Sequence, residues 1–378
     1  MEPFLTTHTG SLPRPSDLEE LLYEREDGEE VPGFDRSVLE AVETTVRRQV
    51  DAGVDVVNDG EMSKIGYSTY VARRLTGFGP NPSEFRRVHP ETADFPDFTP
   101  VLGSSSRRFI GLGNACVGEV TLRDPDAVQV DIANLKAAAG PAGARELFMS
   151  AASPGVISAF LPNHHYATRQ EYLAALVEAM RSEYKAIVDA GLMLQLDCPD
   201  LAMMRWAYPS LEDFRREAAE NVEALNEAVA GLPPEQMRVH LCWGNSESPH
   251  THDVELPDII DIVLRTVPAG ISLEGANPRH AHEWEVFEDV KLPDDRYLVP
   301  GVIESVNNFV EHPDLIAQRL GNYAKVVGAE RVMGGSDCGF GTFAGVSRVA
   351  PSIVWAKMAA LAEGARRARA RLSPARSS

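Results

Sequence analysis

The chain has 378 residues, of which 44% are hydrophobic and 24% are charged, so it has enough apolar side chains to bury a large core. Its formal net charge of −20 argues against a nucleic-acid-binding surface, because phosphate binding needs clustered Lys and Arg that release counterions. The N-terminus MEPFLTTHTG lacks a basic start followed by an apolar stretch, and no apolar run is long enough to span a membrane, so we expect a cytoplasmic protein with no membrane partner.

Short apolar runs alternate along the chain with amphipathic helical stretches. The runs predict eight strands, at 4–7, 54–58, 146–150, 192–197, 238–242, 270–274, 297–302 and 331–336. Helical periodicity is clear at 37–52, 169–190, 211–230 and 313–327. Repeated strand-helix alternation implies parallel strands joined by crossovers, which predicts an α/β fold of the (β/α)8 TIM barrel type. A doubly wound open sheet is the alternative.

Two segments depart from this alternation. Residues 66–124 are rich in Pro, Arg, Phe and Gly without helical periodicity, which predicts an insertion after the second strand, with a hairpin around 108–121. The insertion is either a lid over the barrel mouth or a plain surface excursion. Residues 365–378 form a basic tail, expected to be a frayed helix end or disordered. We therefore expect one catalytic barrel domain over residues 1–378.

The positions directly after the predicted strands are unusually polar. In a TIM barrel these positions form the face that carries the catalytic groups. They hold His8 to Ser11, Asn58 to Glu61, Asp197, His240, Cys242, Glu274, Glu304, Asp337 and Cys338. Surface loops are polar in any protein, so this clustering alone is weak support for an enzyme.

Metal-binding residue types make the prediction more specific. His240 and Cys242 lie two residues apart in an extended segment, so their side chains point to the same face and can bind one ion. Glu274 and Cys338 end strands in the same half of the barrel. The alternative is that a buried cysteine packs as a small hydrophobic residue.

Other candidate ligands are weaker. Four widely spaced cysteines do not resemble a disulfide scaffold in a chain of this length, and two of them are expected to pack as hydrophobic residues, although one is a rival ligand because it adjoins Asp197. Three histidine pairs stand in loop or helix-start settings that favour capping or surface roles. These residues are Cys116 and Cys198, and the pairs His164 with His165, His250 with His252, and His280 with His282.

The donor set suggests a reaction. Two thiolates neutralise Zn²⁺ and a carboxylate makes the site anionic, so a bound water is poorly acidified and hydrolysis is disfavoured. A substrate thiol, whose free pKa is about 8.5, is deprotonated when it coordinates zinc and stays nucleophilic in an electron-rich shell. We expect Glu274, the only oxygen donor, to leave or lengthen when the thiol enters.

The set His240-x-Cys242, Glu274 and Cys338 occurs together with the motifs HTGSLPRP, NDGE and LQLDCPD. These motifs and their order resemble the catalytic C-terminal barrel of cobalamin-independent methionine synthases and their short single-barrel relatives. The resemblance runs from about residue 6 to about residue 345. It implies a methyltransferase that transfers an alkyl group, in that family a methyl group, to a thiol, with zinc held by these four residues and homocysteine as the favoured thiol.

The resemblance also implies substrate contacts. Ser11 matches the family serine that holds the carboxylate of homocysteine, and Glu61 and Asp197 match the acidic residues that hold its ammonium group. A desolvated ammonium group needs carboxylates around it, which agrees with this assignment. The alternative is that Ser11 caps a helix, Glu61 is solvated and Asp197 packs in a polar layer.

The chain departs from the family in PGVIESVNNFV. It has Val306 where folate-using members carry a histidine that assists proton delivery to the departing folate nitrogen. Losing a general acid costs roughly 10²-fold or more in rate. Glu304 and Asp337 are the candidates to replace it, and the donor is either a folate or another methyl carrier.

Two other functions remain possible on the sequence. One is epoxide ring opening by a zinc-bound thiolate of coenzyme M, whose sulfonate would need a cationic pocket from Arg14, Lys64 or Arg279. The other is a non-catalytic barrel with closed zinc, or an open sheet that binds a nucleotide through Gly339 to Gly341 and Gly345. The acidic residues Glu61 and Asp197 favour an amino-acid thiol.

Overall fold

The computed structural model describes residues 1–82, 90–98 and 113–372. Its strands are β1 (Val56–Val57), β2 (Phe78–Pro80), β3 (Asn114–Cys116), β4 (Glu146–Ala152), β5 (Met193–Asp197), β6 (Met237–His240), β7 (Gly270–Leu273), β8 (Tyr297–Ile303) and β9 (Gly335–Ser336). Seven of them form one parallel sheet in the order β1-β4-β5-β6-β7-β8-β9, and β2 pairs with β3.

The N-terminal segment 4–7 closes this sheet into a cylinder. Thr6 forms a parallel bridge with Gly334, just before β9. On the other side, the backbone N–H of Val56 in β1 donates to the carbonyl of Thr6 at 2.9 Å. The segment therefore lies between β9 and β1 and takes the place of the eighth strand of the barrel. The predicted TIM barrel is confirmed, and the open sheet is not observed among the described residues.

The helices are α1 (Ser16–Glu26), α2 (Phe34–Asp51), α3 (Val71–Arg74), α4 (Glu91–Asp94), α5 (Ala127–Ala142), α6 (Pro154–Phe160), α7 (Arg169–Asp189), α8 (Leu211–Ala228), α9 (Ile260–Val263), α10 (Val286–Asp289), α11 (Pro313–Val327) and α12 (Pro351–Leu372). The four predicted helices correspond to α2, α7, α8 and α11. Helix α7 begins at a capping box in which Thr168 and Glu171 satisfy each other's backbone N–H groups. Among the described residues, no helix combines the length and apolar character needed to cross a membrane.

The barrel interior changes from apolar to polar along its axis. At one level, Leu5, Val56, Phe148, Val299 and Met333 form a small buried cluster. Residues two apart on a strand share a face, so the interior positions that follow Phe148 in β4 are Ser150 and Ala152. The polar residues lie on the carboxyl side of the apolar cluster, which is the side where the loops carrying the candidate ligands begin.

The insertion is described only in part. Strand β3 pairs with β2 in an antiparallel register that places Cys116 opposite Phe78. Residues 108–112 of the hairpin predicted around 108–121 lie outside the described residues. The strand that is described in this region, β3, pairs with β2, which precedes the predicted hairpin in the chain. In the described stretch 90–98, the Glu91 carboxylate accepts from the backbone N–H of Thr251 at 2.6 Å, which ties the insertion to the loop after β6.

The C-terminal tail differs from the prediction. Helix α12 continues to Leu372, and Ala365 and Ala368 are buried within it. Small residues on one face of the helix let it pack closely, since a side chain at Gly364 would meet Ile316 of α11 at 2.4 Å. The arginines occupy the outer face, where Arg367 pairs with acidic residues. Residues 365–372 are therefore a packed helix, and the part of the predicted tail from 373 onward lies outside the described residues.

Candidate metal and substrate site

Three predicted ligands converge at the carboxyl end of the barrel. His240 ends β6, Cys242 follows two residues later, and Cys338 follows β9. One potential ligand atom from each residue lies within 4.8 Å of the other two, and the two Sγ atoms are 3.5 Å apart. All three side chains are buried. The structure thus joins residues that are almost a hundred positions apart in the chain.

The imidazole of His240 is presented as a metal ligand would be. Its Nδ1 lies 3.3 Å from the Ser272 hydroxyl, while its Nε2 is buried without a hydrogen-bond partner among the described residues. Burial, together with the nearby charge of Arg238, lowers the pKa of His240 to about 3. The ring is therefore neutral at physiological pH, and Ser272 supports its orientation from behind.

The two thiols complete a donor set that fits a metal ion. The hydrogen bond with Cys338 and burial hold the pKa of Cys242 well above its usual value. Adjacent buried thiols resist ionisation until a cation stabilises the thiolates, which a divalent metal does directly. One imidazole nitrogen and two sulfurs suit zinc among the common biological metals. The fit to a metal ion rests on the unpaired His240 Nε2 and on the adjacent Sγ atoms of Cys242 and Cys338.

The fourth predicted ligand, Glu274, is beside the cluster but engaged elsewhere. Its Oε1 accepts from the backbone N–H of Trp243 at 2.7 Å, and its Oε2 accepts from the Asn277 side chain at 2.5 Å. Burial and the neighbouring Cys242 hold the pKa of Glu274 well above its usual value. The structure therefore groups three of the four predicted ligands, and Glu274 also contacts the Cys242 side chain. Coordination of a metal by Glu274 stays a prediction.

A cavity of about 140 Å³ adjoins the cluster. Its described lining includes the three clustered ligands and also the three predicted substrate residues, Ser11, Glu61 and Asp197. Much of the rest is apolar, and three aromatic rings pack against one another there with centroids 5.6 to 6.4 Å apart: Tyr67, Phe160 and Phe343. Six predicted residues from five parts of the sequence thus face one space.

Glu61 offers an unpaired carboxylate oxygen to this cavity. Its backbone has φ 59°, a left-handed conformation, and the Arg14 guanidinium holds its carbonyl at 2.9 Å. The Oε1 atom accepts from the Ser150 hydroxyl at 2.7 Å, whereas Oε2 is buried and has no partner among the described residues. The side chain is only 2% exposed, so the alternative that Glu61 is solvated is wrong. A buried carboxylate without a partner favours a cationic ligand.

Asp197 lies at the end of β5 and faces the same cavity. Burial raises the pKa of Asp197 to about 8, and the charge of Glu61 contributes to the increase. An ammonium group placed between two buried carboxyl groups favours their charged forms. Ser11 is also buried, and it does not cap a helix, because α1 begins only at Ser16 after Pro15. The geometry therefore matches an amino-acid subsite better than the alternative roles.

The two candidate proton donors lie outside this arrangement. The Asp337 carboxylate accepts from the backbone N–H groups of Gly275, Ala276 and Asn277 at 2.8 to 2.9 Å. It thereby fixes the loop that carries Glu274. Glu304 is half-buried after β8, and neither residue is among the described residues that line the cavity. Neither side chain is placed to deliver a proton to a ligand there, and Asp337 has a structural task instead.

The cavity has a cation that the sequence did not indicate. Of the three basic residues considered for a sulfonate, Arg14 and Lys64 are bound to backbone carbonyls and Arg279 is exposed. Arg348 lines the cavity instead; its Nε donates to the Asn245 carbonyl at 2.9 Å, and its guanidinium pairs with Glu247. It lies ten positions beyond the last motif, in a loop whose path no local pattern reveals.

His280 and the two other cysteines, which are weaker ligand candidates, have other partners. His280 lies between Asp253 and Glu283, at 3.1 and 2.8 Å; burial opposes protonation, but the two carboxylates raise the pKa of His280 to about 10. A protonated imidazole is not a metal ligand. Cys116 and Cys198 are buried with their Sγ atoms against backbone carbonyls at 3.4 Å. The structure brings neither cysteine into the cluster.

Curated proteins resemble this chain over most of its length. A protein named methionine synthase from Sulfolobus acidocaldarius is 24% identical over 340 residues, which covers 88% of this chain and 85% of that protein. Another of the same name from Saccharolobus solfataricus is 23% identical over 364 residues, covering 95% and 93%. The resemblance to the methionine synthase family is confirmed. No family model matches the chain.

Solved structures agree with the methionine synthase resemblance at the level of the fold. A B12-independent methionine synthase from Shewanella sp. W3-18-1, in complex with selenomethionine, superposes with a TM-score of 0.73 at 20% identity and covers 98% of this chain and 99% of that one. At this identity the likeness shows a shared TIM barrel. Val306 is half-buried after β8.

Proposed function

We propose that this protein is a zinc-dependent thiol alkyltransferase that methylates homocysteine. The observation that carries the proposal is the cavity that is lined both by the His240, Cys242 and Cys338 cluster and by the Glu61 and Asp197 carboxyl groups. One part suits a sulfur atom, and the other suits an ammonium group. The similarity to proteins named methionine synthase supports the same reaction.

His240, Cys242 and Cys338 would hold the zinc ion, with Glu274 as the candidate for a fourth ligand. Bound zinc supplies a Lewis acid that keeps a thiol, with a free pKa of about 8.5, in its nucleophilic form near neutral pH. Ser272 holds the His240 ring, and the backbone of Trp243 holds Glu274. The cluster is buried at the wall of the cavity, which limits its exposure to bulk water.

The acceptor is held by the acidic pair and the first loop. Glu61 and Asp197 bind the ammonium group, and Ser11 binds the carboxylate, as the resemblance implies. Gly339 permits this position, since a Cβ atom there would lie 2.0 Å from the Ser11 hydroxyl oxygen. The Shewanella relative is described in complex with selenomethionine, an amino acid with the same ammonium and carboxylate groups, which supports an amino acid in this cavity.

The donor is expected to be one whose leaving group needs little protonation. Val306, which the resemblance aligns with the family histidine, has no proton to donate, and neither Glu304 nor Asp337 is among the described residues that line the cavity. An amine leaving group without a general acid loses roughly 10²-fold or more in rate. A methyl carrier with a better leaving group than a folate amine therefore suits this chain.

Mass spectrometry of the product tests the proposed function. Zinc-loaded protein is incubated with L-homocysteine and, in separate reactions, with a methylated folate and a methylated corrinoid. We expect methionine with at least one donor, formed only when zinc and protein are both present. Absence of methionine with every donor, in protein that is folded and zinc-loaded, would contradict the proposal.

Arg348 keeps one alternative function open. Its guanidinium lines the cavity and suits the sulfonate of coenzyme M, because charge-assisted hydrogen bonds from arginine bind such oxyanions well. The same assay with coenzyme M and an epoxide distinguishes the two functions. A hydroxyalkyl thioether, without methionine in the parallel reactions, would favour the epoxide reaction.

A further inference from the structure

A second polar row lies directly beneath the substrate site. In the register between β5 and β6, Asp197 pairs with His240, and Gln195 pairs with Arg238. Side chains two residues apart on a strand point to the same face, so Gln195 and Arg238 face the barrel interior one layer below the cavity. Both residues are completely buried.

The Arg238 guanidinium is held by hydrogen bonds to neutral groups and not by an ion pair with a carboxylate. Its Nε donates to Gln195 Oε1 at 2.8 Å, and its two terminal nitrogens donate to the Thr7 hydroxyl at 3.2 and 3.3 Å and to the His8 carbonyl at 3.1 Å. The guanidinium also lies 4.2 Å from the centre of the Phe148 ring. Among the described residues, no carboxylate forms an ion pair with it. A buried cation without an ion-pair partner is costly, so its hydrogen bonds must matter to the fold or to the site.

Arg238 determines which way the Gln195 amide points. A guanidinium can only donate, so the Gln195 atom that faces it must be the carbonyl oxygen. The amide nitrogen therefore faces the opposite way, where it donates to Asp197 Oδ1 at 2.9 Å and to the backbone carbonyl of Thr9. One oxygen of Asp197 is fixed from below by this bond. The carboxylate is then held in one rotamer while it faces the cavity.

We propose that Gln195 and Arg238 are positioning residues for ammonium recognition by Asp197. Arg238 orients Gln195, and Gln195 fixes the Asp197 carboxylate toward the amino group of the thiol substrate, a role that rests on the proposed function. Neither residue touches the substrate. The pair should therefore affect the preference for a thiol that carries an amino group over one that lacks it.

Binding of two thiols that differ in one group tests this role without any alkyl donor. L-homocysteine and 4-sulfanylbutanoate share the thiol and the carboxylate, but only homocysteine has the amino group. We measure their dissociation constants by titration calorimetry with the zinc-loaded full chain under reducing conditions. The wild-type protein should bind homocysteine more tightly. Arg238→Met and Gln195→Glu should each reduce this preference about tenfold or more, since a hydrogen bond to a charged group is lost.

The choice of Gln195→Glu and one control variant separate positioning from general damage. Gln195→Glu keeps the volume and can still accept from Arg238, so it retains the fold if Arg238→Met does not. Tyr297→Phe removes the hydroxyl of a half-buried tyrosine next to the same interior layer, which contacts Met193 at 3.5 Å, and should leave the preference unchanged. An unchanged preference in folded Gln195→Glu would overturn the inference while leaving the ammonium site intact. A wild-type protein that does not prefer homocysteine would overturn the ammonium site itself, and this inference with it.

Discussion

Replacement of Cys338 by serine is expected to remove most of the bound zinc and all turnover while the barrel stays folded. A serine hydroxyl does not ionise at neutral pH, so only His240 and Cys242 remain of the clustered donors. We expect the zinc affinity to fall by more than about 100-fold. Mutation of residues that only hydrogen-bond to metal ligands already lowers metal affinity by up to about 100-fold. Metal analysis after dialysis, circular dichroism and the homocysteine methylation assay measure the three properties.

A second buried cysteine provides the matched control. Cys116→Ser makes the same substitution in β3, where the Sγ atom contacts the Gly118 carbonyl at 3.4 Å and is not part of the cluster. This variant should keep full zinc content and turnover. If Cys338→Ser instead behaves like Cys116→Ser, Cys338 does not bind the metal.

The second large effect is expected from Glu61→Gln. This change keeps the size of the side chain and its bond from Ser150, but it replaces an ionisable carboxyl group that faces the cavity with a neutral amide. Removing one partner of a buried charge pair costs about 3–5 kcal/mol, which corresponds to a loss of about 100-fold or more in kcat/KM for homocysteine. The loss should appear mainly in KM, because the sulfur-binding residues are unchanged.

Asp131→Asn serves as the control for Glu61→Gln. Asp131 is equally buried and pairs with Arg74, but it is not among the residues that line the cavity. It should lower thermal stability without changing the KM for homocysteine. A KM that stays at the wild-type value in Glu61→Gln would show that this carboxylate does not bind the acceptor.

Much of the fold was predictable from the sequence because each strand is a short apolar run. A parallel strand inside a barrel is buried on both faces, so the runs around β4 to β8 are visible without any partner strand. The ligands were predictable for a related reason, since polar residues directly after such strands meet at one end of a barrel. His240, Cys242 and Cys338 converge as this rule predicts.

Other features depend on contacts that no local pattern encodes. Asp337 follows a strand like a catalytic residue, but three backbone N–H groups from another loop bind its carboxylate. Glu274 likewise has partners outside the cluster, Trp243 and Asn277, in addition to its contact with the Cys242 side chain. Arg348 reaches the cavity only because of the path of its loop. In α12, the arginine-rich composition concealed a face of small residues that packs on α11.

X-ray absorption at the zinc edge is the most direct measurement of the central claim, that the sulfur cluster binds a metal at which the substrate thiol is held. The account predicts two sulfur neighbours and one imidazole nitrogen around zinc in the resting protein, from Cys242, Cys338 and His240. Saturation with L-homocysteine should increase the count to three sulfurs, and methionine should not. A sulfur count that does not change with homocysteine, or a resting site without sulfur, would contradict the account.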